Sequence, residues 1–477
     1  MALLLFCVLF PAVCCLSFLF LNRISDRRGR MAVLLSLQGI ETLAAFWLVF
    51  SDEKATGNLV LTDQIQIGFS SDPLAKFFVF LIALGWLLVS IYATVYMKHE
   101  EEENRFFLFM LLSEAAMMGA ALSSNLVSMY LFYEMITLFS MPLVLHSLSK
   151  ESVAAAKKYL YYSVAGAFFA LFGIFVLATN AESLNFVLGG SLDSASPLVL
   201  TGALLICLGF GAKAGLFPLH GWLPTAHPVA PAPASALLSG LIAKAGVLAI
   251  LRSVYYVIGA EKLFGSWVQT VLLILALLTV LMGSMMAYGE KVLKKRLAYS
   301  TVSQISYVLV GIFLFTPDGL YGAAWQILFH ALVKIGLFLF AGTVIYLTGK
   351  TRVEELDGLG REMPITFVSF TILALSLIGI PPTGGFFSKW YLATASLGAE
   401  TLGAFSWLIP AVLLLSALLT AGYLLSITIK AFFVKKESVS AVKEPLAMAL
   451  PILILAAFSL LGGIFAPQVG AVLQALL

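Results

Sequence analysis

In Gly209-Phe210-Gly211-Ala212-Lys213-Ala214-Gly215-Leu216-Phe217-Pro218-Leu219-His220-Gly221-Trp222-Leu223-Pro224, a lysine and a histidine about two helical turns apart interrupt an otherwise apolar run. A lysine in hydrocarbon costs about 2.5 to 3.5 kcal/mol on insertion scales, so it is rarely placed there without a task. Pro218 lacks the N–H that would close its helical bond, and Pro224 follows, so freed backbone groups need water or polar partners. Helices interrupted at membrane depth are a transporter feature, because irregular backbone is tolerated where it lines a hydrated cavity. The expectation is a buried, wet, protonatable site.

Outward from this stretch, the composition agrees. Of 477 residues, 61% are hydrophobic and 11% charged, against roughly 25% charged in a soluble domain. The chain therefore reads as an all-α, multi-pass membrane protein. The net charge of +3 is no sign of nucleic-acid binding, since the basic residues sit in short connecting loops. The run Leu3 to Leu21 has no basic segment before it and reads as a retained first span. Cys7, Cys14, Cys15 and Cys207 fall inside apolar runs without the spacing of metal or Fe–S ligands, which points to packing. No cofactor or metal is expected in this chain.

Windows of about 20 apolar residues give fourteen spans, the fifth over Leu126 to Leu148, the seventh over Leu198 to Leu223, the twelfth over Ile365 to Leu397 and the last over Leu446 to Leu473. Alternate loops divide the basic residues 20 to 3, with Arg23 to Arg30, Lys291 to Arg296 and Lys430 to Lys443 on one side and Lys54, Lys76 and Lys262 on the other. Placing the rich side in the cytoplasm puts both termini outside. The acidic run Glu100 to Glu103 reads as a solvated loop. Five basic residues remain inside spans: Lys213, Lys244, Arg252, Lys334 and Lys389. The embedded acids are Glu41, Glu114 and Glu134, with His146 and His330 also inside and His220 just after the first break.

A second interruption, Gly379-Ile380-Pro381-Pro382-Thr383-Gly384-Gly385, precedes Lys389. It lies five spans after the first, and an odd offset inverts a repeat in the membrane. Two Gly/Pro-interrupted spans in corresponding positions point to an inverted-repeat transporter. Glu134 is the candidate partner of Lys213, because a carboxylate within about 4 to 6 Å controls how readily a buried ammonium gives up its proton. His330 and Lys334 share one helix face, and a neutral imidazole accepts at one nitrogen while donating from the other. Arg252 stays protonated, cannot relay, and is expected to snorkel outward. No phosphate-binding loop or soluble domain is present to hold a nucleotide. Energy must come from an ion gradient or a partner.

Phe132-Tyr133-Glu134-Met135, Lys213 with Phe217-Pro218-Leu219-His220-Gly221-Trp222-Leu223-Pro224, and Pro231-Ala232-Pro233-Ala234-Ser235-Ala236 before Lys244 resemble the antiporter-like membrane subunits of respiratory complex I. Those subunits are related to Mrp-type cation/proton antiporters and membrane-bound hydrogenase subunits. Lys294 within Leu293 to Gln304, His330 with Lys334, and Gly379 to Pro382 with Gly385 and Lys389 extend the resemblance.

The resemblance implies fourteen helices: an N-terminal three-helix segment over 1–105, a five-helix repeat over 106–258, its inverted copy over 259–434, and a C-terminal helix over 435–477. It implies that Glu134 and Lys213 form a coupling pair and Lys244 a central relay. His330 and Lys334 would continue the path, and Lys389 would lead to the outer side or a neighbouring subunit, with His220 and Lys294 in secondary roles. Pro218, Pro224, Pro381, Pro382 and Gly385 mark the helix breaks. Some complex I members carry glutamate at the position of Lys389, so this chain looks closer to those using lysine. The end at Leu477 disfavours the largest such subunit, which carries a long lateral helix.

The expected function is proton translocation inside a redox-driven complex of a prokaryotic plasma membrane, with the redox chemistry in other chains. The expected partners are further membrane subunits, including antiporter-like paralogues and a redox arm, with lipid and H⁺ or Na⁺. A multi-chain Mrp-type Na⁺(K⁺)/H⁺ antiporter subunit is the alternative. An inert scaffold is disfavoured by the insertion cost of five embedded ionisable residues, and a solitary permease by the lack of an evident substrate pocket.

Overall fold

The computed structural model describes residues 1–21, 26–51, 56–60, 66–192, 194–434 and 442–476. Arg23, Lys54, Lys435 and Lys436, counted above for topology, lie outside the described residues. The chain opens with α1 Ala2–Leu21 and α2 Arg27–Phe50, then a hairpin of β1 Thr56–Val60 and β2 Gln66–Ser70. There follow α3 Pro73–Tyr96, α4 Glu103–Leu122, α5 Leu126–Val144, α6 Lys150–Ala178, α7 Pro197–Ala214, α8 Leu223–Val229, α9 Ala232–Leu237 and α10 Ala243–Leu251. The second half holds α11 Ala260–Leu263, α12 Trp267–Gly289, α13 Leu293–Phe313, α14 Pro317–Thr348, α15 Leu359–Glu362, α16 Pro364–Ile378, α17 Gly384–Gly398, α18 Phe405–Phe433, α19 Leu446–Ile464 and α20 Ala466–Ala475.

Eleven helical stretches among the described residues are long and apolar enough to cross a membrane. The protein is thus a mostly helical, polytopic membrane protein. Beside the helices, one short antiparallel hairpin pairs Thr56 with Ser70 through Val60 with Gln66. Its Gly68 N–H donates to Ser128 Oγ at 2.9 Å, docking it on the start of α5. The last expected span is two helices, α19 and α20, joined at Phe465. The fifth ends at Val144, so His146 lies beyond the helix, its ring edge-on to Phe106 and its carbonyl accepting from Arg105 at 2.6 Å. Burial and the Arg105 guanidinium push that imidazole down to about 4.

The connections alternate between two faces. On one, Arg27 and Arg30 bind Glu103 at 2.8 and 3.0 Å, Val292 bridges to Arg352, and the Gly358 N–H donates to the Lys430 carbonyl. Glu103 is therefore an ion-pair partner rather than a solvated loop residue. On the other face, Val187, Gly189 and Ser191 donate backbone hydrogen bonds to Tyr256, Tyr255 and Val257. Arg252 does not snorkel. It is fully buried, bidentate to Asp72 at 2.6 and 2.8 Å, and held between the rings of Phe186 and Tyr256. Asp72 also caps α3 by accepting from the Ala75 N–H. A counter-charge 180 positions away in sequence outcompetes the route to the surface.

The two interruptions close by the same local device. At each, a glycine takes the left-handed backbone that other residues resist, Gly215 at φ 81° and Gly379 at φ 92°. The next N–H then reaches back five residues, Leu216 to Gly211 at 2.8 Å and Ile380 to Leu375 at 3.0 Å. The helices therefore stop ahead of the prolines: Pro218, Pro381 and Pro382 lie in the non-helical links, Pro224 sits in the first turn of α8, and Gly385 is already inside α17.

Candidate functional site

The link between α7 and α8 leaves backbone groups that must be satisfied inside an apolar setting. The Trp222 indole donates to the Ala212 carbonyl at 2.9 Å, and the Phe217 N–H donates to Thr279 Oγ1 at 3.0 Å. With the helix end so held, Lys213 on its last turn points across to α5. Its Nζ donates to Thr137 Oγ1 at 2.6 Å and to the Tyr133 carbonyl at 3.4 Å, and stands 4.4 Å from the centre of the Tyr133 ring. Lys213 is completely buried. Glu134 lies within its electrostatic reach but forms no ion pair with it within 4.0 Å, and Glu134 Oε1 has no hydrogen-bond partner among the described residues. The expected coupling pair is thus adjacent and disengaged, with Thr137 occupying the ammonium.

Lys244 on α10 follows a stretch of wider π-helix, Leu238–Ile242, a feature common at functional sites. The Ser239 carbonyl within it accepts from Lys244 Nζ at 2.6 Å. From there a polar string crosses to α13 and α14. Ser239 and Thr301 share a hydroxyl hydrogen bond of 2.7 Å, Thr301 Oγ1 donates to the Leu297 carbonyl at 3.0 Å, and that carbonyl also accepts from Lys334 Nζ at 3.0 Å. Lys334 further donates to Ser300 Oγ.

His330, one turn before Lys334, has neither ring nitrogen bonded among the described residues and lies within electrostatic reach of Lys244, Lys334 and Lys389. It borders a cavity of about 10 Å³ with Gln304, Gln326 and Ser376, room for roughly one water. Gln326 donates to Gln304 Oε1 at 3.1 Å and accepts from Ser388 on α17 at 2.6 Å.

Lys389 is placed differently from Lys213. It folds back from α17 onto the end of α16, donating to the Leu377 and Ile378 carbonyls at 2.5 and 2.6 Å, with the centre of the Tyr307 ring 5.3 Å away. Helix C-terminal carbonyls carry partial negative charge and hold a cation there without any acid. The close approach needs Gly385, because a Cβ at that position would lie only 1.9 Å from the Ser376 carbonyl oxygen.

Lys244, His330, Lys334 and Lys389 thus form one group, and Glu134 with Lys213 a second. Among the described residues no side-chain hydrogen bond joins the two, although α10 packs directly on α7 at Gly246. His220 stays apart: it stacks on the half-exposed Phe217 and faces Lys158. Lys294 joins the second half of the site at the basic face, donating to the Ala230 and Pro228 carbonyls at the end of α8, within electrostatic reach of Glu100. Burial raises the Glu100 carboxyl and the Lys294 ammonium draws it back down.

One residue of the group escaped sequence reasoning. His227 is fully buried, stacked on Phe338 at 4.6 Å, and within electrostatic reach of Lys294, Lys334 and Lys244. The signal was present: a histidine between Pro224 and Pro228, in the short helix beyond the first break. Among the described residues no group of three or more His, Cys, Asp or Glu is placed to hold a metal ion.

Such a set of buried ammonium and imidazole groups, tied by hydroxyls and helix-end carbonyls, is suited to holding and passing protons. Comparison with known proteins agrees with this. A 36% identity over 419 residues links the chain to the N subunit of an NADH-quinone oxidoreductase of Desulforudis audaxviator, covering 83% of this chain and 82% of that one. A Na(+)/H(+) antiporter subunit of Alkalihalophilus pseudofirmus is 31% identical over 367 residues, 76% of this chain and 73% of its own. Among solved structures, a chain of the Mrp complex from Dietzia sp. superposes with a TM-score of 0.87 at 25% identity, covering 100% of this chain and 97% of that one. Residues 60–107 match the family model for the N-terminus of NADH-ubiquinone oxidoreductase (complex I) chain 5. Residues 123–420, more than half of the protein, match the transmembrane model NADH:quinone oxidoreductase/Mrp antiporter, and to that family the chain belongs.

Proposed function

We propose that this chain is a proton-translocating subunit of a redox-driven membrane complex in a prokaryotic plasma membrane, moving H⁺ along the buried lysine row while other chains carry the redox chemistry. The observation that carries the reading is that three enclosed lysines, Lys213, Lys244 and Lys334, and the partly buried Lys389 have no ion pair among the described residues. An ammonium held only by hydroxyls and carbonyls can lose its proton without stranding a bound carboxylate, which a static salt bridge does not permit.

In this reading Lys294 and Glu100 collect protons at the basic, cytoplasmic face, His227 and Lys244 receive them, and His330 with Lys334 pass them toward Lys389. Glu134 acts as the switch: its approach to Lys213 favours the protonated amine, and its withdrawal favours release. On the opposite face a cavity of about 890 Å³ with Glu261 and Asp318 in its lining reaches Tyr391, one turn beyond Ser388, and gives an outlet. The fourteen-helix layout with two inverted five-helix repeats, over 106–258 and 259–434, and both termini outside, belongs to the same proposal. The matching glycine-closed breaks at Gly215 and Gly379 support it.

The test is proton movement in vesicles reconstituted with the complete complex and a pH-sensitive dye. Lys213→Ala and Glu134→Ala are expected to abolish coupled acidification while the complex still assembles. Normal pumping by either variant refutes the coupling role. The similarity to a Na(+)/H(+) antiporter chain sustains a second reading, exchange of Na⁺ for H⁺ without redox partners. Dye responses driven by a sodium gradient alone would select it.

A further inference from the structure

The N-terminal helices enclose two carboxylic acids that the lysine row does not use. Glu41 on α2 is 2% exposed and Glu114 on α4 is 0% exposed. Gln38, one turn before Glu41, donates from Nε2 to Glu114 Oε1 at 2.7 Å. The other end of that amide accepts from Ser90 Oγ on α3 at 3.4 Å, which sets which way the amide faces. Glu114 Oε2 and both carboxyl oxygens of Glu41 have no hydrogen-bond partner among the described residues.

The two acids lie within electrostatic reach of each other, and Cys7 and Cys14 of α1 lie within reach of both. Neither acid forms an ion pair among the described residues, and Arg27 and Arg30 at the start of α2 are engaged by Glu103. On its far side α3 meets the central bundle, Tyr92 donating to the Leu339 carbonyl of α14 at 3.0 Å, so α3 stands between this pair and the lysine row.

Two like charges cannot both persist in such a place, because each is desolvated and neither has a cation paired to it among the described residues. The amide of Gln38 offers Glu114 a donor and so suits its ionised form. Glu41 has no donor among the described residues and is the member that must be neutral. We propose that Glu41 and Glu114 form a proton-binding site of the N-terminal helices, holding one exchangeable proton on Glu41, separate from the lysine row. The ligand class is a proton: among the described residues the Glu41 oxygens have no hydrogen-bond partner and the two acids do not belong to a cluster of three or more His, Cys, Asp or Glu that could hold a metal ion, whereas a hard cation takes several converging oxygens.

The experiment is infrared difference spectroscopy of the intact complex in liposomes, in H₂O and in D₂O. A protonated-carboxyl C=O band is expected that shifts in D₂O, is lost in Glu41→Gln, and survives in both Glu114→Gln and Glu134→Gln. Replacing potassium by sodium in the buffer is expected to leave the band unchanged. A band that does not shift in D₂O overturns exchangeability. Loss of the band in Glu114→Gln but not in Glu41→Gln overturns the assignment to Glu41, and loss on adding sodium overturns the choice of ligand. Should Glu41→Gln fail to assemble, the D₂O response of the unaltered protein and the Glu114→Gln spectrum decide. None of these readouts depends on the lysine row conducting.

Discussion

Replacing Gly385 by alanine should disable Lys389 without touching it. A Cβ at position 385 would stand 1.9 Å from the Ser376 carbonyl oxygen, whereas carbon and oxygen settle at about 3.3 Å or more even in close C–H···O contacts. The two half-helices α16 and α17 must therefore separate by roughly 1.4 Å, the difference between those two distances. Lys389 lies one turn further along α17, and its bonds to Leu377 and Ile378 are 2.5 and 2.6 Å, so the same displacement carries them past hydrogen-bonding range.

Overpacking of this kind destabilises by about 1 to 3 kcal/mol, which the bundle should survive. Misplacement of a reacting group by about 1 Å can cost on the order of 100-fold in rate. The assay pairs thermal unfolding of the purified complex with dye-detected acidification in vesicles. The expected result is a modest fall in Tm and proton movement as low as in Lys389→Met. Full proton movement in Gly385→Ala would show that the contact between Lys389 and the end of α16 has no part in conduction.

Three further outcomes follow from the geometry. Thr137→Val removes the hydroxyl bonded to Lys213 Nζ at 2.6 Å; hydrogen bonds to charged groups contribute about 1.5 to 3 kcal/mol, so initial rates of proton movement should change by about tenfold or more, and an unchanged rate refutes a role for that bond. Asp72→Asn keeps the cap of α3 but leaves the buried Arg252 unpaired, which should destabilise by about 3 to 5 kcal/mol in thermal unfolding and be partly repaired by adding Arg252→Met. His146 is neutral when folded, with its imidazole pushed down to about 4 from 6.5. Between those values the unfolded chain binds the extra proton, so stability should fall as pH drops through that window, by about 1 to 2 kcal/mol once solvent screening is allowed for. His146→Gln should flatten that part of the Tm profile.

Several parts of the molecule could be read residue by residue, because hydrocarbon imposes its terms locally. A long apolar run must be helical to satisfy its own backbone, and an embedded charge must have a use. That is why a multi-pass helical bundle, the two interruptions and the embedded Lys213, Lys244, Lys334 and Lys389 were legible in sequence. The location of the breaks was less so: proline was the visible signal, while Gly215 and Gly379 end the helices, because only their left-handed backbone lets the following N–H reach back. Terminating residues are chosen by backbone conformation, which a residue name only suggests.

What each side chain meets depended on how the helices rotate and pack, and sequence distance says nothing of that. Glu134 lies within electrostatic reach of Lys213, while the ammonium itself is bonded to Thr137, a partner the sequence did not single out. Lys389 is held by the carbonyls at the end of α16, and Arg252 was drawn inward by Asp72. His227 is fully buried within electrostatic reach of Lys244, Lys294 and Lys334, whereas His220 is partly exposed and stacked on Phe217. The sequence alone determined a membrane-embedded helical bundle carrying costly buried cations, since burial of charge is a property of single residues in oil. Only the tertiary structure decided which of those cations lie in one hydrogen-bonded group, since hydrogen bonds act over about 3 Å and those linking these residues are made between helices.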